Sequence, residues 1–588
     1  MIKLKNKSVI IEYSLVIIGL TMLTLVFFID ILSNFSSAII GDGGDGVVFL
    51  WNFWWIKESI WELHQNPLIC DYMFYPYVMD LRLHTLILAP ALIMLPAQIL
   101  WGSIVALNAY VLISFVLAGL GTYLLSKLYI KSKITAFLGA IIYAFNTYVI
   151  SHTYGHFNLT TTWPIPFIIY FLEKLYNTKE TKYAFYSSFS YIFLVYSDLQ
   201  YAIFTALLII LWLIWKILII IKNKQSICLF VKPLLFFTVF LMVGLYPLFS
   251  LITSGLNNNL SKPTQEAVEF YSPDILSCVI PPQGTITNDI IASHSSQLAQ
   301  ISFSGPEWAT YMGLVIIILF PFVIFRTIRK RENGYIFWLI IFFVFFILSL
   351  GPELHYFANQ NTGIALPFSY IQNFPLLNMT RVPVRILIIA ILAISILIAW
   401  LLSNIRSVKI RYIVTSLFIV ICIGELFLLP VYVQKLELPK AYTFLEKRSD
   451  FQKTDESIIE FPLFFTDRID LLGKKETIFL FYQTAHEYKI INGYLSYTPQ
   501  NFLKQYINMP GMLFLIEPLS YEKPQGDNLA ELEDFLYNKA NVKYAIIHKR
   551  MLDPVEFDYL SKFLQLDLSG NIVYNDQDII IYELNRLQ

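Results

Sequence analysis

The sequence predicts a polytopic α-helical membrane protein with about 11 spans and one short membrane hairpin, followed by a C-terminal extracytoplasmic α/β or α+β domain. Three observations predict it. Only 14% of the 588 residues are charged, against 56% hydrophobic and 16% aromatic, whereas soluble domains run at about 25% charged. The mean hydropathy of +0.60 excludes one water-soluble enzyme with a buried core and a polar shell. Long apolar runs recur to about residue 430, where charge rises. Forty-two basic residues balance forty-two acidic ones, so net charge gives no argument for a nucleic-acid partner.

The elements follow in order. The apolar run to Asp30 comes after Met-Ile-Lys-Leu-Lys-Asn-Lys and is not followed by a small-residue cleavage site, so it reads as a retained signal anchor. A helix needs about 20 apolar residues to cross the hydrocarbon. Candidate spans begin near residues 10, 104, 134, 161, 183, 200, 230, 309, 335, 384 and 411. The apolar segment from His84 to Trp101 is shorter and carries Pro90 and Pro96. Lys and Arg in short loops stay in the cytoplasm, and this decides whether that segment crosses. If it enters and leaves on one side, the clusters Lys127/Lys131/Lys133, Lys174/Lys179/Lys182, Lys222/Lys224, Arg326/Arg329/Lys330/Arg331 and Arg406/Lys409/Arg411 all fall inside. A full crossing turns every one of them outside.

The hairpin topology gives a multi-pass protein of the cytoplasmic (plasma) membrane with its N-terminus inside. Residues 1–430 form the transmembrane domain, with outer loops at 34–83, 151–160, 254–308 and 351–383. These loops hold most acids and histidines of the membrane half. Residues 431–588 form the outer domain, in which runs such as Ser457 to Phe461, Tyr544 to His548 and Ile579 to Glu583 alternate with helical patterns such as Leu529 to Lys539. Cys70, Cys228, Cys278 and Cys422 lie far apart, which argues against a disulfide framework or a cysteine zinc site.

The first outer loop opens with Gly41-Asp42-Gly43-Gly44-Asp45-Gly46. Glycines let two carboxylates approach a ligand closely. Mg²⁺ and Mn²⁺ take oxygen ligands, so Asp42 and Asp45 are candidate metal ligands, or one of them a general base. A hydrated turn at a helix exit uses the same residues. The aromatic run from Val47 to Trp55 suits the interfacial belt and would hold the carboxylates where lipid head groups react.

These residues, with His152-Thr-Tyr-Gly-His156-Phe-Asn158, Ser197-Asp198-Leu199-Gln200-Tyr201, Tyr271-Ser-Pro273-Asp274, Gly351-Pro352 and Arg381-Val-Pro383-Val-Arg385, resemble the bacterial polytopic glycosyltransferases of the GT-C fold. The likeness lies in order and topology and runs over most of the chain, as far as Asn492-Gly493-Tyr494. In that fold an acidic residue of the first outer loop sits near the lipid-linked donor. The resemblance implies a sugar transferred from a polyprenyl-phosphate donor, on the outer face, to a lipid, a cell-envelope glycan or a protein. Asp45, or else Asp42, would be the catalytic carboxylate, and His152, His156, Asp198 and Glu307 would line the site. The Asp42/Asp45 spacing is DxxD rather than the DxD of metal-dependent members, so a divalent cation there rests on residue chemistry alone.

The same residues have plainer readings. His156 sits where an outer loop re-enters the membrane; it suits phosphate binding or proton transfer, or is a hydrogen-bonded helix-end histidine. Asp198 is an acid near membrane depth, a default functional candidate, or an N-cap. Asp274 follows Ser-Pro and reads as a helix start. Arg381 and Arg385 stand four apart and are expected on one helical face at the start of the span near 384. Guanidinium forks suit a donor phosphate; a snorkelling or salt-bridged pair, with Glu307 or Glu353 as partner, is the alternative. A transporter or flippase would need mid-membrane charges and interrupted helices in matching halves, while these spans are nearly free of charge at their centres. A catalytically inactive scaffold is the third reading.

Overall fold

The computed structural model describes residues 2–584 except 42–43, 225–227, 247–262, 284, 300, 302–306, 308, 358–359, 375–376, 428, 430, 449–454, 467–470 and 497–501. The chain is mostly helical and forms two compact units. The first comprises Met1–Phe35, Ile40–Asp42 and Asn108–Gln434; the second comprises Ser36–Ile39, Gly43–Leu107 and Lys435–Gln588.

Among the described residues, five helices are long and apolar enough to cross a membrane: Val9–Phe27, Ser103–Tyr129, Lys133–His152, Leu199–Lys222 and Pro383–Ser403. The other six expected starts also carry helices. These are Pro164–Thr178, Lys182–Val195, Cys228–Leu245, Leu314–Lys330, Asn333–Ser349 and Val408–Leu426, of 14 to 19 residues. Residues Leu387 to Trp400 are buried without a break, so this helix is the centre of the first unit. Such all-round apolarity belongs to a helix enclosed by others.

In the second unit a mixed sheet carries the fold. Its strands are β1 (Ser457–Phe461), β2 (Lys489–Ile490), β3 (Val542–His548), β4 (Gly570–Asn575) and β5 (Ile579–Leu584), in the order β2-β1-β3-β5-β4. β1 runs parallel to β2 and β3, with Ile459 opposite Ala545. β5 returns antiparallel to β3, with Ile581 opposite Ile546. Every residue of β1 is buried, as expected of an apolar strand covered on both faces.

Residues 43–107, expected with the membrane half, pack within the second unit. The Trp51 indole donates to Gln483 Oε1 at 2.7 Å, and Gln483 Nε2 donates to the Tyr72 carbonyl at 2.7 Å. The Ile490 amide donates to Tyr72 and the Phe74 amide to the Asn492 carbonyl. The expected hairpin is two short helices, Leu88–Ile93 and Leu95–Trp101, broken at Met94. Six or seven residues rise only about 10 Å, so neither crosses a bilayer. The polar Gln98 turns inward to the Ala91 carbonyl, whereas Ile93, Leu100 and Trp101 are exposed.

Candidate functional site

Three parts of the first unit converge on one carboxylate, Glu307. Its nearest histidines come from the end of a membrane helix. The helix Lys133–Ala144 breaks at Phe145, and Asn146 restarts it by accepting from the Val149 amide at 2.9 Å. The restarted turn ends at His152, which is fully buried. Its Nδ1 donates to the Tyr148 carbonyl at 2.8 Å, so Nε2 carries the lone pair of the neutral ring. That nitrogen has no hydrogen-bond partner and lies 3.5 Å from Glu307 Oε2. His156 follows, with Nδ1 3.7 Å from Glu307 Oε1.

The second contributor is the start of Pro383–Ser403. Proline fits the first position of a helix because its φ is preset and it has no amide to satisfy. Pro383 opens a 3₁₀ turn over Pro383–Ile386, and this turn places Arg385. Its guanidinium pairs with both Glu307 oxygens, through Nε to Oε2 at 3.2 Å and through Nη2 to Oε1. Nη1 donates to Gln200 Oε1 at 2.8 Å. Glu307 is thus the arginine partner that the sequence offered. Burial alone would raise its carboxyl, but the Arg385 guanidinium holds it well below the usual range.

The third contributor is the start of Leu199–Lys222. Asp198 is its N-cap, accepting from the Tyr201 amide at 2.7 Å through Oδ1 and from Asn158 Nδ2 at 2.7 Å through Oδ2. The cap fixes the turn that carries Gln200 towards Arg385, and burial pushes the Asp198 carboxyl up.

Arg381 does not join Arg385. The expected single helical face is corrected here: the helix begins only at Pro383, and Val382 before it is non-helical, as the residue before a proline usually is. The Arg381 guanidinium lies instead over the Tyr271 ring, 4.9 Å from its centroid. Asp274 caps a 3₁₀ turn by accepting from the Leu276 amide at 2.8 Å, and Glu353 begins a short strand.

Asp42 lies outside the described residues. Asp45 belongs to the second unit, in the first turn of Gly44–Lys57. Its carboxylate pairs with Lys475 Nζ at 3.1 Å, and that ammonium sits 4.6 Å over the Tyr494 ring. The Thr477 hydroxyl donates to the Gly44 carbonyl at 3.1 Å. Lys475, Gln200 and Asn158 were not singled out from sequence. Gln200 and Asn158 stand inside stretches already noted, whereas nothing local marks Lys475 as the partner of a residue 430 positions earlier.

Among the described residues, His152, His156 and Glu307 form the group able to hold a metal ion, with all three ligand atoms within 4.8 Å of one another. The chemistry fits. A tetrahedral ion with metal–nitrogen distances near 2.05 Å spaces neighbouring ligands about 3.3 Å apart, close to the 3.5 and 3.7 Å seen here. A histidine that binds through Nε2 donates its other nitrogen to a carbonyl, as His152 does.

A family model described as a domain of unknown function, DUF6311, matches residues 16–424. No curated relative matches the chain. Among solved structures, arabinofuranosyltransferase AftD from Mycobacteria aligns with a TM-score of 0.54 at 10% identity, over 98% of this chain and 41% of that one. The chain therefore spans less than half the length of AftD. ArnT from Cupriavidus metallidurans bound to undecaprenyl phosphate gives 0.47 at 10% identity, over 97% of both chains. The oligosaccharyltransferase of Archaeoglobus fulgidus, in complex with Zn and sulfate, gives 0.47 at 11% identity, over 91% of this chain and 68% of that one. Identities this low speak for the fold alone, which the AftD match gives as that of the GT-C glycosyltransferases. The family match is of another kind: it covers well over half of the sequence, and this protein belongs to the DUF6311 family.

Proposed function

We propose that the chain is a membrane glycosyltransferase that moves a sugar from a polyprenyl-phosphate donor to a lipid, glycan or protein acceptor on the outer face of the cytoplasmic membrane. The observation that carries this reading is the Arg385–Glu307–His152–His156 cluster, ionisable groups gathered where two helices long enough to cross a membrane end. Ionisable groups at such depth are costly and mark function.

In this reading the guanidinium of Arg385, positioned by Gln200, meets the phosphate of the lipid carrier, the type of anion a planar fork binds best. The acceptor hydroxyl attacks the anomeric carbon, the carbon–oxygen bond to phosphate breaks, and the carrier phosphate leaves. Asp45 takes the hydroxyl proton, its carboxylate being oriented by the ion pair with Lys475. His152, His156 and Glu307 would hold a divalent cation. A nitrogen-rich set suits zinc better than magnesium or manganese, and the ion would add positive charge for phosphate oxygens.

Three outcomes are expected. Membranes containing Asp45→Asn should fail to transfer label from radiolabelled polyprenyl-phosphate sugars, while the variant inserts normally; full transfer would remove the catalytic assignment. Elemental analysis of the purified chain should show about one bound zinc, as a single three-ligand site dictates, and His152→Ala should lose it. An unchanged metal content in that variant would take the ion away from this cluster. With N-terminus inside and outer loops outside, a cysteine placed at Gln283 should react with an impermeant maleimide in intact cells and one at Lys131 should not. The reverse pattern would invert the topology.

A further inference from the structure

A second cavity in the first unit is not part of the cluster around Glu307. It holds about 60 Å³ of free space, room for several waters or an ammonium group, and it is open on one side. Its walls come from the helices Lys133–Ala144, Leu314–Lys330 and Val408–Leu426 and from the loop at Pro281 and Pro282. Ile142, Phe145, Val315 and Leu426 make them apolar. Among the residues that line it, Glu425 is the single charged side chain.

Glu425 has a structural task. Oε1 accepts from the Tyr311 hydroxyl at 2.8 Å, and both oxygens accept from the Leu314 amide, at 3.0 and 3.1 Å. This caps the helix that begins at Leu314. The task does not exhaust the group, because a carboxylate offers about four acceptor positions. Among the described residues, no lysine, arginine or histidine forms an ion pair with it. A carboxylate in an apolar wall gains strongly from a cation that reaches it, since the low dielectric strengthens the attraction.

We propose that this pocket binds a membrane lipid bearing a primary amine, the ammonium pairing with Glu425 and an apolar chain lying along the helices. Chains of lipid are the apolar matter available to a pocket between membrane helices, and the charge of its wall selects a cationic head group over a phosphate. The site is separate from the proposed transfer reaction and does not depend on it.

Cys422 lies in the same wall and reports on occupancy. Its labelling by N-ethylmaleimide can be followed by peptide mass spectrometry in the full-length protein in detergent. With dodecylamine as the probe at about ten times its Kd, labelling should slow about tenfold, as occupancy requires. Dodecyl phosphate should leave the rate unchanged. Glu425→Gln keeps an oxygen for Leu314 and Tyr311, so it should fold and lose the dodecylamine effect; Ile142→Trp should fill the pocket and slow labelling without ligand. The proposal is overturned if dodecylamine does not protect Cys422, or if dodecyl phosphate protects it as well. The wild-type comparison of the two probes decides even if a variant does not fold.

Discussion

Arg385→Gln is expected to lower the stability of the first unit by about 3–5 kcal/mol, the usual effect of removing one partner from a buried ion pair. Glu307 is only 6% exposed and Arg385 covers both its oxygens. Without the guanidinium, the carboxylate would keep only two imidazoles for company, neither within 3.4 Å. Gln200 would lose its donor as well. The loss should be largely recovered in the double variant Arg385→Gln/Glu307→Gln, because the isolated buried charge is what destabilises. Arg385→Lys should fall between, since an ammonium retains the charge but cannot make the paired contacts and reach Gln200 together. Thermal unfolding in detergent measures all three. A single variant that melts with the wild type would show that the pair does not hold these segments together.

The same cluster shows what sequence carries and what it does not. Helix positions were legible because a bilayer demands long apolar runs: a helix lies near each of the eleven expected starts, and five of those among the described residues are long and apolar enough to cross a membrane. His156 stood out as a polar residue where a loop meets a helix, and Glu307 as an acid available to an arginine. Arg381 misled because spacing of four implies a shared face only inside a helix. The proline at 383 was the available correction, since it disfavours helix in the residue before it. Asp198 was legible in both its readings, and the observed cap does not remove it from the cluster, as it sets the turn that carries Gln200. Less could be read of the second unit. Periodicity located β1, β3 and β5, but not that Tyr72 and Phe74 bond to the segment 490–492. Such pairings join residues some 400 positions apart, and no local pattern encodes them.

Glu460 in β1 belongs to this hidden class, and its replacement should have the second large effect. The side chain is fully buried. Tyr442 donates its hydroxyl to Oε2 at 2.6 Å, and His548 Nε2 lies 3.2 Å from the same oxygen. His486 accepts from the Tyr488 amide at Nδ1, so its proton is on Nε2, 3.5 Å from Glu460 Oε1. Asn492 brackets the Glu460 backbone from the neighbouring segment. Glu460→Leu would take the acceptor from the Tyr442 hydroxyl, leaving it only His548 Nε2 at 2.9 Å, and would remove the carboxylate facing both imidazoles, at about 1–3 kcal/mol for each group left without a partner. Burial opposes ionisation of Glu460, yet the His486 and His548 contacts hold its carboxyl below the usual value. A carboxyl so depressed stabilises the fold above the unfolded-state value of about 4.3, and that contribution fades as pH falls through the lower folded value. Pulse hydrogen exchange after incubation across this acid range should therefore show β1 and β3 losing protection in the wild type. In Glu460→Gln, which does not titrate, protection should start lower and change less with pH. An equal acid response in both proteins would assign the loss to other carboxylates.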